Sequence, residues 1–157
     1  MEVAEAIIQT LETSPILVTR LVREANPAIL KRRPSPAKWS IHEHACHLAA
    51  VHPLFFARLD LMLNDPSPVI TPYNPDKDDE DGALIKVDLD EAMVRYASDR
   101  ALLLDLLRKL TPVDWQRSAS HPEYSRYTVE IMFRHFAFHD HFHAYRIEEL
   151  VLMPGWS

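Results

Sequence analysis

Glycine is nearly missing from this chain: 157 residues contain two, Gly82 and Gly155. Phosphate-cradling loops and dinucleotide-binding turns need clustered glycines so that backbone can approach the ligand, and both are excluded. Two-residue hairpins also favour glycine, which argues against a meander of many strands. A single cysteine, Cys46, cannot form an internal disulfide and fits a reducing, cytoplasmic setting. There is no basic run, the formal net charge is −6 and the pI is near 5.8. Such a chain is a poor partner for nucleic acid or an anionic membrane surface. No apolar stretch approaches the roughly 20 residues of a membrane span. The N-terminal MEVAEAIIQT has neither a basic region nor a signal core, so export is not expected.

What the chain does have is apolar mass (47%), twelve prolines and nine histidines. The apolar content is enough for one domain over residues 1–157 with a core that needs no covalent staple. Helical periodicity runs from about Val3 to Glu24, with apolar Ile7, Ile8, Leu11, Ile16, Leu17, Leu21 and Val22. Pro15 either kinks this helix or restarts it. Ser40-Ile41-His42-Glu43 reads as a capping box opening a second helix that reaches about Leu63 and bends at Pro53. Residues 64–87 hold four prolines and the run Asp76-Lys77-Asp78-Asp79-Glu80-Asp81, which reads as a solvated loop. A connection this long can cross over between two parallel helices. Asp88 caps a third helix reaching about Leu110, with Met93, Ala97, Ala101, Leu104 and Leu107 inward. Thr111-Pro112-Val113-Asp114 marks a short helical turn, and Thr128 caps a fourth helix ending near Met153. The expectation is an all-α four-helix bundle.

Eight of the nine histidines fall in two of these helices: His42, His44, His47 and His52, then His135, His139, His141 and His143. At about 100° per residue, His139 and His143 join the inward stripe of Met132, Phe136, Ile147 and Leu150. His47 lands on the flank of the inward face of the second helix, formed by Ile41, Ala45, Leu48, Phe55 and Leu59. His42 and Cys46 point away from the core, His141 points to solvent, and His135 lies at the stripe's edge. Two imidazoles at i and i+4 converge on one metal, and a third from a facing helix leaves a coordination position open. The competing reading makes each a hydrogen-bonded core histidine. Burying three bare imidazoles together is costly, which favours the metal.

Lys38-Trp39-Ser40-Ile41, Glu43, His47-Leu48, Trp115-Gln116-Arg117, His121-Pro122-Glu123 and His139-Asp140, His143, Ile147 together resemble the DinB-like superfamily, in its YfiT-type branch of metal-dependent hydrolases and thiol transferases. The resemblance covers nearly the whole chain. It implies up-down-down-up connectivity, with the long crossover between helices 2 and 3. It also implies a divalent transition metal, zinc or nickel, on His47, His139 and His143, a homodimer, and a small-molecule substrate. In some relatives the co-substrate is a low-molecular-weight thiol. Arg146 stands where many similar chains carry His or Gln, and either binds an anionic substrate group or snorkels to solvent. Tyr96 and Arg100 are further candidates for the cavity wall. Glu43 is accounted for by its capping box, and Asp140 is expected to face outward. A metal-dependent hydrolase or thiol transferase is the leading reading. A non-catalytic, dimeric metal-binding or structural bundle is the alternative.

Overall fold

A computed structural model describes residues 2–156, apart from the side chains of Asp76 and Asp78. Helix α1 spans Glu2–Glu24, α2 Ile41–Ala50, α3 His52–Asn64, α4 Pro75–Asp78, α5 Ala83–Lys86, α6 Leu89–Leu107, α7 Pro112–Trp115 and α8 Val129–Val151. No strand occurs among the described residues beyond isolated bridges such as Val69 with Ser120. The caps lie where the sequence places them. Ser40 Oγ accepts from the Glu43 amide while Glu43 Oε2 accepts from the Ser40 amide. Asp88, Thr111 and Thr128 each accept an amide three residues on. Each bond satisfies an amide that would otherwise be stranded in the first turn.

Four rods form the bundle: α1, α2 continued by α3, α6, and α8. Helix α1 packs on α8 and α6, and α2 packs on the same two, so α1 and α2 stand largely across a diagonal. His42 bonds the Val87 carbonyl before α6, and His52 bonds Arg100 further along it, so α2–α3 and α6 run parallel. His44 meets His143 and His47 meets His139, so α8 runs the other way. Ile8 lies beside Leu107 and Thr19 beside Ala97, making α1 antiparallel to α6. The order is therefore up, down, down, up. The crossover is pinned to the connection before α8: the Ile70 amide donates to the Ser120 carbonyl at 2.8 Å and the Ser120 amide to the Pro68 carbonyl at 2.9 Å.

Two apolar clusters fill the interior, one with Leu11, Leu59, Leu103 and Phe133, the other with Val18, Leu48, Ala92 and Ile147. Between them on each rod sits a polar residue: Ser14, His52, Arg100 and Asp140, all buried. Arg100 grips Asp140 with two nitrogens, at 2.6 Å and 3.1 Å. Ser14 Oγ donates to Asp140 at 2.5 Å. Two prolines are absorbed by the same layer. Pro15 lies inside an unbroken α1 and has no N–H, so the Leu11 carbonyl loses its helical donor; Arg100 Nη1 donates to it at 2.8 Å. Pro53 likewise strands the Ala49 carbonyl, and His52 Nδ1 takes it at 3.3 Å. Arg100 Nε donates to His52 Nε2 at 3.2 Å, so that nitrogen is the acceptor and Nδ1 carries the proton.

Several expectations change. The buried face of α6 is Ala92, Tyr96, Arg100, Leu103, Leu104 and Leu107, while Ala97 and Ala101 are exposed and Met93 is half-buried. Leu104 and Leu107 are inward as expected, but apolar periodicity placed the first half of the face one position off because its central residue is a cation. Ile16 and Leu17 are exposed, since Ser14, Pro15 and Val18 take the inward positions of α1. Asp140, expected outward, is fully buried against Arg100. His42 and Cys46 are also buried, because the crossover and α6 cover the face of α2 that was read as open. The acidic run is not wholly solvated: Asp79 accepts from Trp39 Nε1 at 3.2 Å, the Leu84 amide at 3.1 Å and Arg33 at 3.3 Å. Taken as one run, Ile41–Asn64 is long and apolar enough to cross a membrane by composition, contrary to the expectation. Here Ile41, Ala45, Leu48 and Leu59 of that run are spent on the bundle core, and the rod breaks at Val51.

Removing one partner of a buried ion pair leaves the other charged in an apolar interior, at about 3–5 kcal/mol. Asp140→Ala should therefore lower the unfolding free energy by that amount, read from the urea midpoint. Replacing both partners, as Arg100→Met with Asp140→Leu, should recover most of the loss. A single-variant loss below about 1 kcal/mol would contradict this role for the layer.

Candidate metal centre

His47 comes from α2, and His139 and His143 lie one turn apart on α8, so the antiparallel contact of these helices brings them together. Their ligating nitrogens all lie within 4.8 Å of one another. His139 Nε2 is 2.9 Å from His47 Nε2 and 3.2 Å from His143 Nε2. A neutral imidazole nitrogen carries one proton or one lone pair, so His139 Nε2 cannot satisfy both neighbours by hydrogen bonding. A cation accepts all three lone pairs at once. Burial, with the neighbouring imidazoles adding to it at His47, pushes the ring of His47 down to about 3 and that of His139 to about 4. Burial and the same neighbours push His143 down too. All three are neutral at pH 7, the state that binds metal.

With the lone pairs turned inward, each Nδ1 carries a proton. That of His143 points to His44 Nδ1, 2.8 Å away. Those of His47 and His139 are buried with no partner among the described residues. His44 therefore fixes the orientation of His143, as outer partners of metal-binding histidines do. It is not among the three ligands that the family resemblance implies, but lying three residues before His47 it shares that helix face. Trp39 covers the group, its ring centroid 4.9 Å from that of His47 and 6.0 Å from that of His143. The Trp39 indole N–H is held by Asp79, Asp79 by Arg33, and Arg33 by Glu43 at the start of α2. Glu43 thus serves the helix cap and this tether, in keeping with its expected structural role.

Two neighbouring hollows lie beside the group, all three histidines lining the first and His139 alone the second. The first, about 450 Å³, is walled by Trp39, His44, Tyr73, Phe142 and Arg146, with Lys38 at its edge. The second, about 470 Å³, is walled by Val51, Leu54, Phe55, Phe138 and Phe142 together with Arg58, Tyr124 and His135. His139, Tyr73 and Phe142 belong to both. Arg146 lies on the wall and also pairs with Glu149 at 2.6 Å. Tyr96 and Arg100, expected along the cavity, line neither hollow; they belong to the polar layer of the core. His141 is exposed, as expected. The aromatic residues Trp39, Tyr73 and Phe142 were missed as wall residues because they come from a loop, the crossover and the outer flank of α8.

A family model described as the DinB superfamily matches residues 10–147. A Bacillus subtilis protein named "Putative metal-dependent hydrolase YfiT" is 28% identical over 96% of this chain and 85% of its own length. An Oceanobacillus iheyensis protein, "Putative metal-dependent hydrolase OB0782", is 25% identical over 95% of this chain and 86% of its own. Among solved structures, "YfiT from Bacillus subtilis is a probable metal-dependent hydrolase with an unusual four-helix bundle topology" superposes with a TM-score of 0.87 at 26% identity. That match covers 98% of this chain and 89% of the other.

The buried histidines make the fold acid-sensitive. Burial holds His44, His52 and His139 down at about 4 and His47 at about 3, and it also lowers His42. Unfolded, each protonates near 6.5. Below that pH the unfolded chain binds more protons, so stability is complete above about 6.5 and falls until the folded values are reached. The metal-free protein should lose urea resistance between pH 6.5 and 5, by up to about 1 kcal/mol per pH unit for each of His44, His47, His52 and His139. A midpoint that stays flat to pH 5 would contradict it.

Proposed function

The chain belongs to the DinB superfamily, and on that footing we propose that it is a metal-dependent hydrolase of small molecules, with His47, His139 and His143 as the ligands of one divalent cation. The observation that carries this reading is the convergence of three neutral Nε2 atoms from two helices on one point beside a cleft. Three protein ligands with a fourth direction open is the catalytic pattern, and three imidazoles suit zinc or nickel. When bound, such a cation supplies Lewis acidity that makes a water or a thiol nucleophilic near neutral pH.

The remaining work falls to the chain itself. His44 holds the tautomer of His143. Trp39, Tyr73 and Phe142 shield the three rings from bulk solvent on their side of the cleft. Glu43 is consumed by Arg33 and Ser40, and Asp140 by Arg100 and Ser14, so neither carboxylate is available as a base. A second reading, transfer of a low-molecular-weight thiol, is favoured by one observation. The two neighbouring hollows, which share Tyr73, His139 and Phe142, have room for a thiol beside its electrophile.

Elemental mass spectrometry of the purified protein should find about one transition metal per chain. His139→Ala should lose nearly all of it. His44→Ala should keep the stoichiometry but bind the metal about 10–100-fold more weakly, the usual effect of removing an outer partner. Hydrolysis of small esters and amides should stop on chelation and return with zinc or nickel; dependence on an added thiol would select the transferase. Full metal content in His139→Ala would remove the assignment.

A further inference from the structure

The two hollows differ in chemistry, and that difference constrains what fits across them. The first carries Lys38 and Arg146, and no carboxylate lines it among the described residues. The pair of Arg146 with Glu149 is roughly one-third exposed on each side and uses one guanidinium nitrogen. Such a surface pair holds weakly, and the remaining donors are free to take an oxyanion. In a chain of net charge −6, two cations facing one hollow are a local reversal of the overall field. The second hollow is walled mostly by apolar side chains, Val51, Leu54, Phe55, Phe138 and Phe142, and the one guanidinium on its wall among the described residues, Arg58, donates to the Thr71 carbonyl at 2.7 Å. At about 450 and 470 Å³, each hollow alone lies within the range of ordinary ligand sites, so each can take one end of a small molecule. They meet at His139, Tyr73 and Phe142, beside the three converging nitrogens.

We infer that the cleft takes an amphipathic monoanion: its charged group seats between Lys38 and Arg146, its apolar chain or ring among Leu54, Phe55, Phe138 and Phe142, and its reactive bond over the three imidazoles. This deepens the reading above and rests on it only for the reactive bond; the seating of the two ends depends on the walls alone. Arg146 is then a specificity residue, in the one position where the sequence left a choice between anion binding and solvent.

Three probes separate the ends: 4-phenylbutyrate, 4-phenylbutan-1-ol with the same tail and no charge, and butyrate with the charge and no ring. Binding is followed by tryptophan fluorescence and by protein NMR shifts, in chelator-stripped protein and in protein incubated with zinc. In both forms 4-phenylbutyrate should bind at least tenfold tighter than either of the others. Arg146→Leu should reduce it to the affinity of the alcohol while leaving the alcohol unchanged. Phe138→Ser should weaken both aromatic probes and spare butyrate. Lys38→Ala, at an exposed loop position, should act in the same direction as Arg146→Leu and more weakly. Equal binding of acid and alcohol, no binding of any probe at 10-millimolar order, or a preference that survives Arg146→Leu would each overturn the inference. A preference that vanishes with the zinc would place the carboxylate on the metal, overturning the seating while leaving the metal reading intact. A preference retained in a protein that takes no zinc would do the reverse.

Discussion

Arg100 places its N–H donors at the centre of the bundle, and the partners it finds come from all three other rods. Helix α1 gives the Leu11 carbonyl and Ser14, α3 gives His52, and α8 gives both oxygens of Asp140. A guanidinium between two apolar clusters is tolerable only when its donors are matched, because desolvating it costs several kcal/mol. Sliding any rod by one residue would break that matching. The layer therefore selects a single docking of four helices, and with it the rotation of α8. Since Asp140 is fixed toward Arg100, its neighbours His139 and His143 are fixed toward α2.

The prolines show how economical the arrangement is. A proline inside a helix normally leaves a carbonyl facing a place where no donor arrives. Here both stranded carbonyls point into the polar layer, where Arg100 and His52 have donors to place. The carbonyls that Pro15 and Pro53 leave without a helical donor thus become acceptors for Arg100 and His52.

Much of this was legible in the sequence where the physics is local. The capping residues Ser40, Asp88, Thr111 and Thr128 act within one turn, so their positions predict helix starts directly. The facing of His47, His139 and His143 followed from helical geometry alone. The reading failed where burial is decided by a partner far along the chain. Tyr96 and Arg100 read as cavity-wall residues until Asp140 is set opposite them in the core, and Asp140 looks exposed for the same reason. His42 and Cys46 read as open because the cover over their face comes from the crossover and α6. Asp79 gives no sign, within its acidic run, of anchoring the indole of Trp39.

The two halves of the histidine cluster are separated by 92 residues, His47 from His139. Closing a loop of that length costs roughly 4 kcal/mol of chain entropy before any contact repays it. The i,i+4 pair on α8 is local, but the third nitrogen arrives only when the outgoing and returning halves of the chain have docked. A growing polypeptide therefore cannot assemble the group until residue 143 has been made and α8 has folded onto α2. Any cation taken by these three nitrogens enters only after α2 and α8 have docked, and in doing so holds together two segments that lie far apart along the chain.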